Sequence, residues 1–109
     1  MTAGTPVLDT LADITATSAE HNSLVPRELM LARIAALIAV DAPPASYLAN
    51  AQAASDFGLT AEDLQGVMVA VAPVVGTARV VSAGGNILRA LGLAIAVADA
   101  EIPDGDGAQ

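Results

Sequence analysis

The sequence predicts an all-α protein of about five helices, and three observations support this fold class. Alanine fills about a quarter of the 109 positions, a bias that favours helix over sheet. Apolar residues recur at helical spacing in several segments, whereas no segment shows the strict alternation of a half-exposed strand. Prolines, glycines and capping residues separate these segments. A chain of this length forms one small domain, which we place at residues 1–101.

The first two helices are predicted from prolines that suit a first helical turn. Pro6 begins the first helix, and apolar residues on one face continue it until it fades around Ser18 to Asn22. Pro26 begins the second, which is apolar nearly all round and is therefore expected to be central and buried. It ends near Asp41, because the two prolines that follow cannot continue it.

The third and fourth helices also have recognisable ends. Pro44 begins the third helix, which closes at Gly58. Thr60, followed three residues later by Asp63, predicts a capping box at the start of the fourth. The fourth helix is expected to break at residues 73–76, where a proline and a glycine occur.

The fifth helix is predicted to be long, from residue 78 to about residue 100, with Thr77 as its cap. Gly84 and Gly85 lie inside it and each cost about 1 kcal/mol in helix propensity. We therefore expect close contact there with another helix or another subunit. Residues 102–109 have no apolar face and are predicted to form a disordered acidic tail.

Charge and residue types exclude several classes of function. Four arginines and no lysine oppose twelve acidic residues, which gives a net charge of −8. Nucleic acids and anionic membrane surfaces attract clustered positive charge, so neither is an expected partner. The absence of cysteine excludes disulfides, thiol redox chemistry and thiolate-bound metals. With a single histidine, we expect neither a metal site nor a cofactor.

The chain shows no predicted targeting or membrane-spanning segment. Its first nine residues lack the basic region and long apolar run of a signal peptide. The longest apolar stretches, at 67–76 and 90–98, are shorter than the roughly 20 residues that span a bilayer. We therefore expect a cytoplasmic protein.

A low charge content predicts self-association. Only 15% of the residues are charged, although a folded domain of this size leaves about a third of its surface exposed. Much of that surface must then be apolar, and large apolar patches on soluble proteins usually mark contacts between subunits. We expect a homo-oligomer.

Three segments carry a resemblance to a known family. They are PREL at 26–29, which begins the buried helix, GLTAEDL at 58–64, and VAVAPVVGTAR at 69–79. In order and spacing, residues 26–93 resemble the carboxymuconolactone decarboxylase and alkylhydroperoxidase-like superfamily. The resemblance implies an alkylhydroperoxidase-like helical bundle that assembles into closed rings, commonly trimers or hexamers.

The redox residues of that superfamily are absent. Its redox-active members carry two cysteines three residues apart, and a histidine four residues after the second. The matching positions, counted back from the glycine at 58 or forward from the glutamate at 28, hold Pro43, Ser46 and Asn50, or Val40, Pro43 and Tyr47. Neither alignment supplies a thiol or a histidine, so we expect no cysteine peroxidase chemistry.

Three candidate catalytic residues follow from the resemblance. Glu28 is similar to a family glutamate that relays protons, although a first-turn acid that is favoured by the helix dipole and paired with an arginine is the more expected interpretation. Tyr47 and Asn50 lie where the family places its chemistry. The structural alternative for Tyr47 is a packing residue with its hydroxyl at the surface.

Arg33 and Ser46 are candidates for substrate binding. Arg33 interrupts an apolar helix, so its guanidinium needs an acid partner, in the bundle or across a subunit contact, or an anionic ligand. If the protein is an enzyme, the resemblance implies acid–base chemistry on a small carboxylated or lactone substrate, with Arg33 holding a carboxylate. The alternative is a non-catalytic oligomeric scaffold or a small-ligand-binding protein. His21 is predicted in an exposed loop, where a role as a general base is less expected.

Overall fold

The structure, a computed structural model, describes the backbone of residues 4–101 and the side chains of residues 4–92. It contains five helices and no strand within these residues, which confirms the predicted all-α class. The helices are α1 (Pro6–His21), α2 (Pro26–Ala39), α3 (Pro44–Asp56), α4 (Ala61–Val75) and α5 (Thr77–Glu101). The predicted acidic tail at 102–109 lies outside the described residues.

Local chemistry at the helix starts agrees with the sequence. A proline occupies the first turn of α1, α2 and α3, where the missing N–H needs no helical partner. At the start of α4 the predicted capping box is confirmed. The Thr60 hydroxyl accepts a hydrogen bond from the Asp63 amide at 3.1 Å, and the Asp63 carboxylate accepts one from the Thr60 amide at 2.8 Å.

The fourth helix ends within the predicted range of residues 73–76, at the glycine of this range and not at its proline. Helix α4 continues through Pro73 to Val75 and ends at Gly76, whose φ of +91° suits glycine and strains other residues. A proline in the last turn removes one backbone hydrogen bond, and its acceptor, the carbonyl of Val69, belongs to an exposed residue. Thr77 is the first residue of α5 and not its cap.

Helix α2 is the centre of the bundle, as predicted. It packs against α3, α4 and α5. Ile34 and Ile38 are buried in one apolar cluster with Val67 of α4 and Ala83 of α5. Leu64, Met68 and Val71 of α4 pack against the same cluster and cover this side of α2.

Helix α5 holds the connection between α2 and α3. Asp41, in this connection, has a φ of +56°, and its carboxylate accepts a hydrogen bond from the Ser82 hydroxyl at 2.6 Å. One turn later, the Asn86 amide donates to the carbonyl of Ala42 at 3.1 Å. These bonds secure the point at which α3 begins, and so they position the first turn of that helix.

Helix α1 stands apart from the core. All of its residues are exposed, including Val7, Leu8, Leu11 and Ile14, which share one face. Arg33 of α2 contacts it by donating a hydrogen bond to the carbonyl of Thr15 at 3.1 Å. An amphipathic helix of this length is marginal in water without a surface to cover its apolar face.

Two further expectations concern helices and their neighbours. An added Cβ at Gly84 would meet no atom within 4 Å, and at Gly85 it would meet the side chain of Arg89 at 3.5 Å. The expected close contact with another helix of the same chain is therefore absent among the described residues. No described helix combines the length and the apolar character that crossing a membrane requires.

We expect the stability that Asp63 contributes to decline in acid. The Arg27 guanidinium, 2.6 Å away, and then the Thr60 amide lower the pKa of Asp63 from 3.8 to about 2. A carboxyl whose pKa is lower in the folded state stabilises fully above the unfolded value of 3.8 and loses this contribution as the pH falls toward 2. In urea unfolding, Asp63→Asn should therefore be less stable than wild type at neutral pH, with a gap that narrows in acid.

The matched control is Glu62→Gln. Glu62 is also an acid in the first turn of α4, but the ion pair among the described residues joins Arg27 to Asp63. A gap for Asp63→Asn that stays constant from neutral pH to pH ~2, or one no larger than that for Glu62→Gln, would contradict the assignment.

Candidate functional site

A pocket of about 300 Å³ lies where α3 and α5 face α2 and the start of α4. Its walls are mostly apolar, and Tyr47, Asn50, Ser55 and Thr60 supply the polar atoms near it. No charged side chain lines it among the described residues. The apolar wall comes from Ile34, Leu37, Ala51, Ala54, Leu59, Ala61, Leu64, Ile87, Ala90 and Leu91.

The composition of α3 explains why this space is left open. The face of α3 toward the pocket carries Ala51 and Ala54, whose side chains are a single methyl group. The chain has one phenylalanine and no tryptophan, and Phe57 is 41% exposed at the end of α3. Apart from Tyr47, no aromatic side chain is therefore available to fill the gap between α3 and α2.

Tyr47 has the largest side chain on the pocket wall, and only 7% of the residue is exposed to solvent. Its hydroxyl oxygen is closed off by neighbouring atoms and has no hydrogen-bond partner within the described part of the chain. Burial, and secondarily the negative charge of Asp41, raise the pKa of this hydroxyl. An unpaired buried hydroxyl costs about 1–3 kcal/mol, so Tyr47 is the least satisfied polar group of the site.

Asn50 lies one turn after Tyr47 and lines the same pocket. Its amide nitrogen donates a hydrogen bond to the carbonyl of Ser46 at 2.9 Å. Ser46 is half-buried but does not line the pocket. The structure therefore brings Tyr47 and Asn50 together and leaves Ser46 behind the wall.

Glu28 and Arg33 lie away from the pocket. Glu28 is exposed in the first turn of α2. Arg33 is half-buried, and its guanidinium bonds the carbonyl of Thr15 where an acid partner was expected. The partner of the Arg33 guanidinium is thus a backbone carbonyl of α1, which the sequence did not indicate.

The remaining titratable candidate is His21, which is the exposed last residue of α1 and not part of a loop. Among the described residues, no group of three or more histidine, aspartate or glutamate side chains is placed to hold a metal ion. The site that remains is the pocket.

Sequence reasoning missed most of the apolar wall. Positions 47, 50, 51 and 54 follow the helical spacing i, i+3, i+4 and i+7, so one stripe of α3 faces the pocket. That spacing was a usable signal for Ala51 and Ala54. The contributions of Ile34 in α2 and Ile87 in α5 come from other helices and carry no local signal in α3.

No model of a known protein family matches the chain, and neither a curated protein nor a solved structure matches it. The family resemblance in the sequence stays a prediction. The pocket and the residues that line it are therefore the basis for inferring a function.

Proposed function

We propose that the protein binds a small, largely apolar molecule in the pocket beside Tyr47. The observation that carries this proposal is a volume of about 300 Å³ with walls that are apolar except at a few positions. An engineered apolar cavity of about 150 Å³ binds benzene, so this pocket suits a molecule of roughly two rings. Few polar groups in an apolar concave surface are typical of small-molecule sites.

The second proposal is acid–base chemistry on a carboxylated or lactone substrate. It follows from the family resemblance, which also implies an alkylhydroperoxidase-like helical bundle. A cytoplasmic location is proposed with it. Tyr47 and Asn50 support this chemistry because they share the pocket. Glu28 is exposed outside the pocket, and Arg33 bonds the carbonyl of Thr15. Binding therefore has more support in the geometry than catalysis does.

Titration with the neutral dye N-phenylnaphthylamine, whose emission rises in apolar surroundings, tests the binding proposal. We expect saturable binding to the wild-type chain. Ala54→Phe places a ring in the pocket and should weaken binding at least about tenfold, because the volume is then occupied. The melting temperature of this variant should stay level or rise, since the ring adds apolar contacts.

The matched control is Ala49→Phe, the same substitution at an exposed position of α3 that does not line the pocket. It should leave the dye affinity unchanged. Equal dye affinity in wild type, Ala54→Phe and Ala49→Phe would show that the dye binds elsewhere and would contradict the proposal.

A homo-oligomer, trimeric or hexameric as the family resemblance implies, is proposed for the assembly. The support is helix α1, whose apolar face at Val7, Leu8, Leu11 and Ile14 is exposed. A groove between α2 and α4 is also open; small and apolar residues such as Ala35 and Ala70 line it together with the acidic Glu62 and Asp63. An amphipathic helix laid in an apolar groove is a recurring mode of association.

Light scattering at micromolar concentration tests the assembly. We expect a mass several times that of one chain. Leu11→Glu puts a charge in the apolar face of α1 and should raise the dissociation constant at least about tenfold. Ala16→Glu adds the same charge on the opposite face, beside Asp9 and Asp13, and should leave the mass unchanged. A wild-type chain that is folded and monomeric would contradict the proposal.

A further inference from the structure

We infer that the Tyr47 hydroxyl selects neutral ligands with one hydrogen-bond acceptor, such as a ketone or an ether, over hydrocarbons and over carboxylates. The inference rests on the proposed function, because it assumes that the pocket holds an apolar molecule. It adds the chemical class of that molecule and the residue that sets the class.

The hydroxyl needs an acceptor that the chain does not supply. Its oxygen is buried and unpaired within the described residues. Acceptors near the start of α3 already receive other donors. The Asp41 carboxylate bonds the Ser82 hydroxyl, and the Ala42 carbonyl bonds the Asn86 amide. A ligand oxygen would pair the Tyr47 hydroxyl, whereas a hydrocarbon would leave it unpaired at the same cost as in the empty pocket.

Electrostatics disfavour an anionic ligand. The pocket has no cationic side chain among the described residues, and Asp41 is the charge that acts on the Tyr47 hydroxyl. The arginines closest in sequence to the wall bond other groups. Arg33 bonds the Thr15 carbonyl, and Arg89 bonds the Asn86 side chain. A carboxylate would therefore lose its hydration without gaining a positive partner.

Access to the hydroxyl requires a small movement of Tyr47. The ring lines the pocket, but its oxygen is closed off by neighbouring atoms. The open volume of about 300 Å³ lets the side chain shift toward a ligand. Because Tyr47 is the single tyrosine and the chain has no tryptophan, near-ultraviolet absorption at wavelengths beyond the phenylalanine band reports this side chain alone.

Decalin, decalone and decalin carboxylate form a matched probe set, and displacement of N-phenylnaphthylamine measures their affinities for the full chain. The preference for decalone is the ratio of the two affinities after each is corrected for the partition of the probe between water and hydrocarbon, because the ketone loses hydration that decalin does not have. For wild type we expect this preference for decalone over decalin to be about tenfold, the ratio that one added hydrogen bond gives. Tyr47→Phe should remove this preference and keep decalin binding. Decalin carboxylate should be the weakest of the three in both proteins.

Two controls keep the result specific. Tyr47→Phe deletes an oxygen that has no partner, so its melting temperature should equal or exceed that of wild type. Asn50 is the polar residue one turn after Tyr47 on the same pocket wall. Asn50→Ala removes its side-chain amide and should keep the preference for decalone. A further readout needs no variant: decalone, but not decalin, should shift the tyrosine absorption to longer wavelength as the hydroxyl donates a hydrogen bond.

The outcomes separate this inference from the proposed function. If no probe displaces the dye, the proposed function fails and this inference fails with it. If wild type shows no preference for decalone over decalin, or if Tyr47→Phe retains this preference, the pocket binds apolar molecules but the Tyr47 hydroxyl does not select among them. Loss of the preference in Asn50→Ala alone, or tightest binding by the carboxylate, would also overturn the inference.

Discussion

Burial of one stripe of α2 is the constraint on which the rest of the structure depends. Met30, Ile34 and Ile38 recur every four residues on this stripe and are nearly inaccessible to solvent. Three helices pack against α2 to cover it. On one side, Val67, Met68 and Val71 of α4 and Ala83 of α5 complete an apolar cluster. Where α3 faces α2, the single methyl groups of Ala51 and Ala54 leave the pocket open.

The hydrogen bonds from α5 to the connection between α2 and α3 determine which side chain of α3 reaches the pocket wall. Ser82 and Asn86 secure this connection, and α3 begins a few residues later. Tyr47 therefore lies in the first turn of α3 with its ring against Ala42 and Ala90. A polar atom is placed beside an apolar volume, and that combination distinguishes this pocket from a simple packing defect.

The helices were predictable because their ends carry strong local signals, whereas the site depends on contacts that no local signal encodes. Proline in the first turn and the capping box of Thr60 fixed the starts of four helices to within one residue. The fourth helix ends in its predicted range at Gly76, and Pro73 does not end it because a proline near the end of a helix costs only one backbone bond. The structural alternative for Tyr47, a packing residue with its hydroxyl at the surface, is wrong about the hydroxyl, which is buried. No local signal showed this, because Asn86 and Ile87, which help to enclose the region, lie about forty residues away in sequence. Arg33 was expected beside an acid, but the position of α1 gave it a carbonyl.

The central claim is that the Tyr47 hydroxyl is buried beside the pocket and closed off from water, and its titration tests this claim most directly. Absorbance of tyrosinate against pH, recorded for the native chain and for the chain unfolded in urea, reports Tyr47 alone. Because burial raises the pKa of this hydroxyl, the native midpoint should lie above the unfolded midpoint of about 10. Stability should be complete below pH ~10 and fall as the pH rises through the native midpoint. Coincident midpoints in the folded and unfolded chains would show a hydroxyl in contact with water and would contradict the account.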